Sequence, residues 1–332
     1  MRTVPSALRR SVFHWAVGAL AGLALAPAAF AQAPAYPSKP ITIVVGYPPG
    51  GSTDLMGRMV GTELSNRLGQ PVVIENIGGA GGAIGAQKVA SAQPDGYTLL
   101  VGASNELAIN KLVTKKVKYD IKDFTAIGLV ASQPLVLVAS PASGVKNAAE
   151  FTQLVTKNPG KFSYGSSGVG TSLHLAGEMV NQATGTHAEH VPYRGVSPLV
   201  TDLMSGQLTF GMLVLSSGLP QVRGDKIVAL GVTEKKRSPV APDIPALAET
   251  PGFENVDINV WFALYGPAKL PQPVADKLRA ATAQVLKSDA FRKKMQEAGG
   301  ELAAPGLDPV KFQATETAKY GALVKAAKIE AR

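Results

Sequence analysis

The chain has 332 residues, with 33 basic and 24 acidic side chains and no cysteine. The absence of cysteine excludes thiol nucleophiles, disulfide bonds and Cys-ligated metal ions. The positive charge is moderate and spread along the chain, whereas a nucleic-acid partner would require a concentrated basic patch with aromatic neighbours, so we expect no such partner.

The first 31 residues are predicted to be a secretory signal peptide. Arg2, Arg9 and Arg10 precede an apolar run over 12–29, and the triplet 29–31 fits an A-x-A cleavage site. No later stretch is apolar for long enough to span a bilayer. We therefore expect a periplasmic protein, cleaved near Ala31, whose remaining length suggests two domains.

Strands and helices alternate through the following hundred residues. The pattern predicts a strand at 41–45, a helix at 54–68, a strand at 72–75, a glycine-rich loop at 76–85, a helix at 86–92 and a strand at 97–101. This βαβαβ order indicates a mostly parallel α/β sheet.

The alternation resumes after a less regular section at 103–123. Further strands are predicted at 124–130, 135–139, 162–165, 190–193, 208–214, 227–232 and 260–265, and helices at 148–157, 273–287, 289–297 and 309–328. The stretch "SSGVGTSLHLAGEMV" (166–180) repeats the strand, glycine turn and helix of "ITIVVGYPPGGSTDLMGRMV" (41–60). Helix N-termini suit anions, and ligands bind at the carboxyl ends of such strands, so two facing turns would converge on one cleft.

The glycine-rich turns match no nucleotide-binding fingerprint. Ile84 and Leu173 stand where G-x-G-x-x-G requires its third glycine, and Ser52 stands where a P-loop requires lysine. We therefore expect no nucleotide cofactor.

Histidine and serine residues of the second half leave one catalytic alternative open. His187 and His190 lie three residues apart but belong to no metal-binding motif. The alternative is an exported hydrolase that uses Ser166 or Ser167 as its nucleophile together with His174. Neither serine lies in a G-x-S-x-G elbow. Binding without chemistry is the preferred interpretation, with no metal.

From about residue 36 to the C-terminus, the chain resembles the tripartite tricarboxylate transporter substrate-binding proteins, also called the Bordetella uptake gene or Bug family. The resemblance rests on motifs that occur in the expected order: "PPGGSTD" (48–54), "LGQPVVIEN" (68–76), "GAGG" (79–82), "PDGYTLL" (94–100), "YDIKDF" (119–124), "HLAGE" (174–178) and "HVPYRG" (190–195).

The resemblance implies an α/β, two-lobed periplasmic-binding-protein fold, type II-like, with a ligand cleft between the lobes (a Venus flytrap). One lobe would comprise 36–136 and 258–332, the other 137–257, with hinges near 133–138 and 253–261. Such a protein binds a small carboxylate, largely through main-chain N–H groups and hydroxyls, and delivers it to a membrane permease. We expect a monomer.

The two turns and the resemblance together give the candidate site. Its ligand-binding residues are Tyr47, Pro49, Gly50, Gly51, Ser52, Thr53, Asp54, Ser104, Asn105, Ser166, Ser167, Gly168, Gly170, Thr171, His174, Tyr193, Arg194 and Gly195.

Several individual roles stay open at this point. Asp54 either contacts the ligand or only complements the helix dipole. Tyr193 and Trp261 either pack against the ligand or belong to the core. Arg194 either pairs with a carboxylate or lies on a solvated edge.

Residues 213 and 214 depart from the family pattern. Many relatives place Asp or Asn here, whereas this chain has Leu213 and Val214. If one of them faces the cleft, the ligand is expected to be an aliphatic or aromatic carboxylate rather than an amino acid or a heavily hydroxylated acid.

Overall fold

Ten strands form one sheet in the part of the chain that the structure, a computed structural model, describes: residues 36–304, 306–327, 329 and 331. In chain order they are β1 (Ile41–Val45), β2 (Val72–Asn76), β3 (Thr98–Ala103), β4 (Phe124–Ala139), β5 (Ser163–Ser166), β6 (Glu189–Pro192), β7 (Phe210–Val214), β8 (Val228–Val232), β9 (Asn259–Pro267) and β10 (Glu301–Leu302).

Helices alternate with these strands along the chain. They are α1 (Ser52–Leu68), α2 (Ala83–Ala90), α3 (Asn110–Val113), α4 (Ala148–Lys157), α5 (Ser172–Thr184), α6 (Val196–Ser205), α7 (Leu215–Arg223), α8 (Gln272–Lys287), α9 (Asp289–Glu297) and α10 (Pro309–Ala326). A π-helical segment, Asn105–Ile109, precedes α3.

The long strand β4 organises the sheet into two halves. It has 16 residues, and the two strands predicted at 124–130 and 135–139 are parts of it. Up to Pro134 it pairs with β9, and from Leu135 onward it pairs with β7 and β8. The first half has the order β2-β1-β3-β9-β4 and the second half β4-β7-β5-β6, with β8 and β10 also paired to β4. The predicted lobe boundaries remain predictions.

The expectation of a mostly parallel sheet is wrong, because the sheet is mixed. β1 pairs in parallel with β2 and β3, and β5 with β6 and β7. However, β9 is antiparallel to β3 and β4, and β4 is antiparallel to β7 and β8. Crossover helices make the outer strands parallel, whereas β4 and β9 pair directly across the middle. A buried strand's apolar run does not reveal its direction.

Two helices of the second half escaped the sequence analysis. Helix α6 carries Pro198 in its first turn, where proline is tolerated. Helix α7 contains Gly218 and Pro220, two residues that disfavour a helix interior. Burial of Leu199 and Leu203 from α6, and of Leu215 and Leu219 from α7, overrides these local preferences.

The carboxyl ends of β1, β3, β5 and β7 lead into loops and helix N-termini that surround one cavity. The amino end of β9 reaches the same place, because Phe262 pairs with Ala103 at the end of β3. Within the described residues, no helix is both long and apolar enough to cross a membrane. The predicted signal peptide lies outside the described residues.

Candidate functional site

A narrow cavity lies where the two halves of the sheet meet, with about 370 Å³ of empty space when its opening to solvent is included. Six of the predicted residues line it: Tyr47, Gly51, Ser52, Thr53, Asn105 and Ser167. Eight further residues complete the lining: Pro48, Ala103, Ser172, Leu173, Val196, Val214, Val260 and Phe262.

The N-terminus of α1 opens onto this cavity without a capping side chain. Its N-cap, Gly51, has extended backbone angles (φ −87°, ψ 173°) and no side chain to cap the helix. The first N–H groups of an α-helix lack intrahelical partners and carry positive partial charge. The buried hydroxyls of Ser52 and Thr53 lie beside them. This arrangement suits a carboxylate.

Asp54 holds the first turn together instead of lining the cavity. Its Oδ2 accepts hydrogen bonds from the Gly50 N–H at 2.9 Å and from Arg58 Nε at 3.0 Å, and its Oδ1 accepts one from Asn76 Nδ2 at 2.9 Å. Burial opposes ionisation of the carboxyl, but the bonds from Arg58, Gly50 and Asn76 outweigh it and lower the pKa of Asp54. The turn therefore contains a buried carboxylate whose charge is already compensated.

Asn105 bridges the two halves across the cavity. Its Nδ2 donates to the Tyr47 hydroxyl at 2.7 Å, and its Oδ1 accepts the first N–H of α5, from Ser172, at 2.8 Å. The Tyr47 hydroxyl in turn donates to the carbonyl of Gly81 at 2.9 Å. A second link, from Ser197 Oγ to the Pro49 carbonyl, measures 3.0 Å. The two glycine turns are thus held face to face.

The second turn rests on a stack of aromatic rings. The His190 ring lies between Tyr164 and His174, with ring centroids 5.1 Å and 4.0 Å away. His174 Nδ1 accepts the N–H of Gly170 at 3.3 Å. Burial and the neighbouring His174 lower the pKa of His190 to about 3, so this ring is neutral. The stack supports the turn from behind.

The structure pairs Ser166 with His190 rather than with the predicted His174. The distance from Ser166 Oγ to His190 Nε2 is 2.7 Å, and Ser166 is fully buried. The hydroxyl also contacts the carbonyl and the N–H of Gly168, at 3.1 and 3.2 Å. Ser166 therefore acts as an internal brace of the turn, closed off from the cavity.

Glycine is required in this turn. Thr171 caps α5, accepting the His174 N–H at 3.3 Å and donating to the Gly168 carbonyl at 2.9 Å. Gly170 has φ +75°, and a Cβ there would lie 2.3 Å from Cγ2 of Val113. A side chain at Gly170 would therefore collide with the opposite half.

The remaining predicted residues lie around the cavity without lining it. Ten of them lie in the turns, strand ends and helix starts beside it: Pro49, Gly50, Asp54, Ser104, Ser166, Gly168, Gly170, Thr171, His174 and Gly195. Tyr193 and Arg194 line a neighbouring opening together with Gly168. Gly195 has φ +146°, and a Cβ there would lie 3.0 Å from Cδ of Pro48.

Residues of two strands form an apolar wall, of which the sequence analysis left the β7 part open and missed the β9 part. On β9, Val260 and Phe262 face the cavity, while Trp261 packs against Phe312 with ring centroids 5.6 Å apart. On β7, Val214 lines the cavity and Leu213 does not. Alternate side chains of a strand point to opposite faces, and this pattern could be seen in the sequence. The sequence did not show which of the two alternating sets of side chains faces the cavity.

No group of three or more histidine, aspartate or glutamate side chains among the described residues is arranged to hold a metal ion.

Comparison with known proteins identifies the relatives of this fold and site. Residues 56–329 match the sequence profile of the tripartite tricarboxylate transporter family receptors. The periplasmic binding protein BugD is 32% identical, with a TM-score of 0.85 over 90% of this chain and 100% of its own. An R. palustris protein solved with adipate is 30% identical (TM-score 0.86; 90% and 100% covered). MatC of Rhodopseudomonas palustris, solved with malate, is 28% identical (TM-score 0.82; 87% and 100% covered).

Proposed function

The chain belongs to the tripartite tricarboxylate transporter receptors, a family of two-lobed solute-binding proteins, and on this premise we propose that its ligand is an aliphatic or aromatic carboxylate held at the N-terminus of α1. As a member of this family it is a substrate receptor for a tripartite transporter.

The carboxylate is assigned to the first turn on one observation above all. The N-terminus of α1 opens onto the cavity, and its N-cap Gly51 supplies no capping oxygen. The orphan N–H groups of the first turn require an acceptor, which a ligand carboxylate provides. At the facing helix α5, by contrast, Asn105 and the N-cap Thr171 already engage two N–H groups. The first turn is thus the preferred anion site.

The apolar wall supports the preference for a hydrocarbon body. Val214, Val260, Phe262 and Leu173 offer no hydrogen-bonding side-chain atom to a ligand hydroxyl or amine. Burying such a group unpaired costs about 1–3 kcal/mol, whereas each Å² of buried apolar area contributes about 25 cal/mol. The family includes relatives solved with adipate and with malate. This chain's wall favours the adipate type, which lacks a hydroxyl.

Binding without catalysis is the proposed activity. Ser166 is buried and bonded to His190, and the Ser167 hydroxyl, which lines the cavity, makes no hydrogen bond to a described side chain. A hydrolase would require an accessible serine activated by a neighbouring base. The arrangement therefore does not favour the alternative of an exported hydrolase.

We propose that one lobe comprises 36–136 with 258–332 and the other 137–257. The change of β4 partners between Pro134 and Leu135 lies close to this boundary and supports the division. The leader is cleaved near Ala31, and the monomeric receptor carries its ligand through the periplasm to a membrane permease.

A thermal-shift screen of carboxylates tests this function. Adipate, longer aliphatic diacids and aromatic acids are expected to stabilise the fold, by about 2.7 kcal/mol at 100 times the dissociation constant. Aspartate and citrate are expected to give smaller shifts. Tight binding of aspartate or citrate with no response to the apolar acids would overturn the ligand preference. Incubation with esters and amides of the same acids, followed by chromatography, should show no product.

A further inference from the structure

A second chamber adjoins the cavity and opens beside it. It encloses about 1030 Å³, including its open mouth, and its lining shares Tyr47 and Ser167 with the first cavity. The two shared residues place the two spaces side by side. The proposed function assigns no part of the ligand to this chamber.

One wall of the chamber is nearly bare backbone. Residues Gly78–Gly81 line it, and Gly79, Ala80 and Gly81 all have positive φ angles (131°, 50° and 60°). The absence of long side chains leaves the space open. The exposed side chains of Ile84 and Val169 also line it, so the chamber suits a hydrocarbon chain.

Arg194 is the single charged residue among those that line the chamber. Its guanidinium forms no hydrogen bond or ion pair with any residue that the structure describes, and the side chain is exposed. Its neighbours are fixed: the Tyr193 hydroxyl donates to Asp202 Oδ2 at 2.7 Å, and the Tyr193 N–H donates to the Ser166 carbonyl at 2.9 Å. The guanidinium is thus an uncompensated cation in an otherwise uncharged lining.

We propose that the second chamber receives the far carboxylate of an α,ω-dicarboxylate and that Arg194 is its anion receptor. The near carboxylate lies at the N-terminus of α1, as in the proposed function on which this inference rests. Guanidinium groups bind carboxylates through two parallel hydrogen bonds. The receptor is therefore specific for acids with charge at both ends and a chain that spans both chambers.

Matched pairs of acids separate this inference from the underlying function. Calorimetric titration would compare adipate with hexanoate, suberate with octanoate, and sebacate with decanoate, on the unaltered protein and on Arg194→Gln. We expect Arg194→Gln to weaken the best diacid about tenfold and the matched monoacid less than twofold. Arg194→Lys keeps the positive charge but cannot donate two parallel hydrogen bonds, so it should recover part of the lost diacid affinity.

Arg292→Gln is the control for net charge, because Arg292 is also exposed and lines neither chamber. It should leave all affinities unchanged. Equal losses for diacids and monoacids in Arg194→Gln, or no loss for any diacid, would overturn the inference. Binding of monoacids alone would overturn it while leaving the proposed function standing, and failure of every acid to bind would overturn both.

Discussion

At the scale of single residues, the candidate site depends on a position that has no side chain. Gly51 lines the cavity with ordinary extended backbone angles, and a Cβ built there meets nothing closer than the Pro48 carbonyl oxygen at 4.0 Å. The glycine is thus not required by the fold. It leaves the N–H groups of α1 open to a ligand.

Gly51→Asp is expected to fold normally and to lose at least about 100-fold in affinity, since it adds a negative charge beside the bound carboxylate. Gly51→Asn has the same shape without the charge, and Gly51→Ala adds only a methyl group. Calorimetry on the three variants separates repulsion from bulk. Unchanged affinity in a folded Gly51→Asp protein would exclude the first turn from the site.

Glu106 is a buried carboxyl next to the site, 3.4 Å from the Tyr47 hydroxyl. Burial raises the pKa of Glu106 from 4.5 to about 8, outweighing the hydrogen bonds that lower it. The folded state therefore holds the proton more tightly than the unfolded state. The protonated Glu106 carboxyl therefore contributes to the free energy of unfolding. This contribution is fully present below pH 4.5 and is lost as the pH rises through about 8.

Replacing Glu106 with glutamine removes this titration while keeping the shape of the side chain. We expect the melting temperature of the unaltered protein to fall relative to Glu106→Gln between pH 5 and pH 9, because only the glutamate must ionise. Thermal melts of both proteins in one buffer series measure the difference. A constant difference across this range would contradict the prediction.

At the scale of elements, the alternation of β7 decides which side chain meets the ligand. Val214 lines the cavity, whereas Leu213 is buried and contacts the position where a Gly218 side chain would lie.

Val214→Thr is nearly isosteric and introduces a hydroxyl into the apolar wall. It should weaken adipate binding several-fold and leave malate binding equal or stronger, as measured by calorimetry. Stronger adipate binding would contradict the apolar-wall assignment.

Asn105 links the N-terminal part of the π-helical segment to the N-terminus of α5. Asn105→Ala removes the bonds to Tyr47 and Ser172, and each neutral hydrogen bond contributes about 1 kcal/mol. We expect several-fold weaker ligand binding through faster dissociation, measured by stopped-flow. Asn105→Asp keeps the acceptor for the Ser172 N–H but loses the donor to Tyr47, so it should show an intermediate loss. Asn147→Ala, at the N-cap of α4, is a control that should not change dissociation.

At the scale of the whole molecule, the proposed hinge is the change of partners along β4, together with the segment that leads into β9. The links from Asn105 to Ser172 and from Ser197 to Pro49 join the two halves directly. Rotation about a hinge would break these few bonds without disturbing either half of the sheet.

Small-angle scattering with and without a saturating carboxylate tests this motion. We expect the radius of gyration to fall on binding, because the ligand adds contacts that only the closed form makes. The Asn105→Ala protein without ligand should have a radius at least as large as the unaltered one. An unchanged radius on binding would contradict closure.

The sequence alone determined most elements of this protein and the two turns that face each other. The apolar run Ile41–Val45, the helix Ala148–Lys157 and the glycine turns were predictable because their signals are local. The family motifs, which extend over nearly the whole chain, supplied the two-lobed fold and the role as a receptor.

Only the tertiary structure decided strand direction and which side chains turn inward. The antiparallel course of β4 and β9, the pairing of Ser166 with His190, and the use of Asp54 as a brace all depend on residues far apart in the chain. Val214 faces the cavity because neighbouring strands fix the rotation of β7. Such choices arise from long-range packing, which a local pattern of residues does not encode.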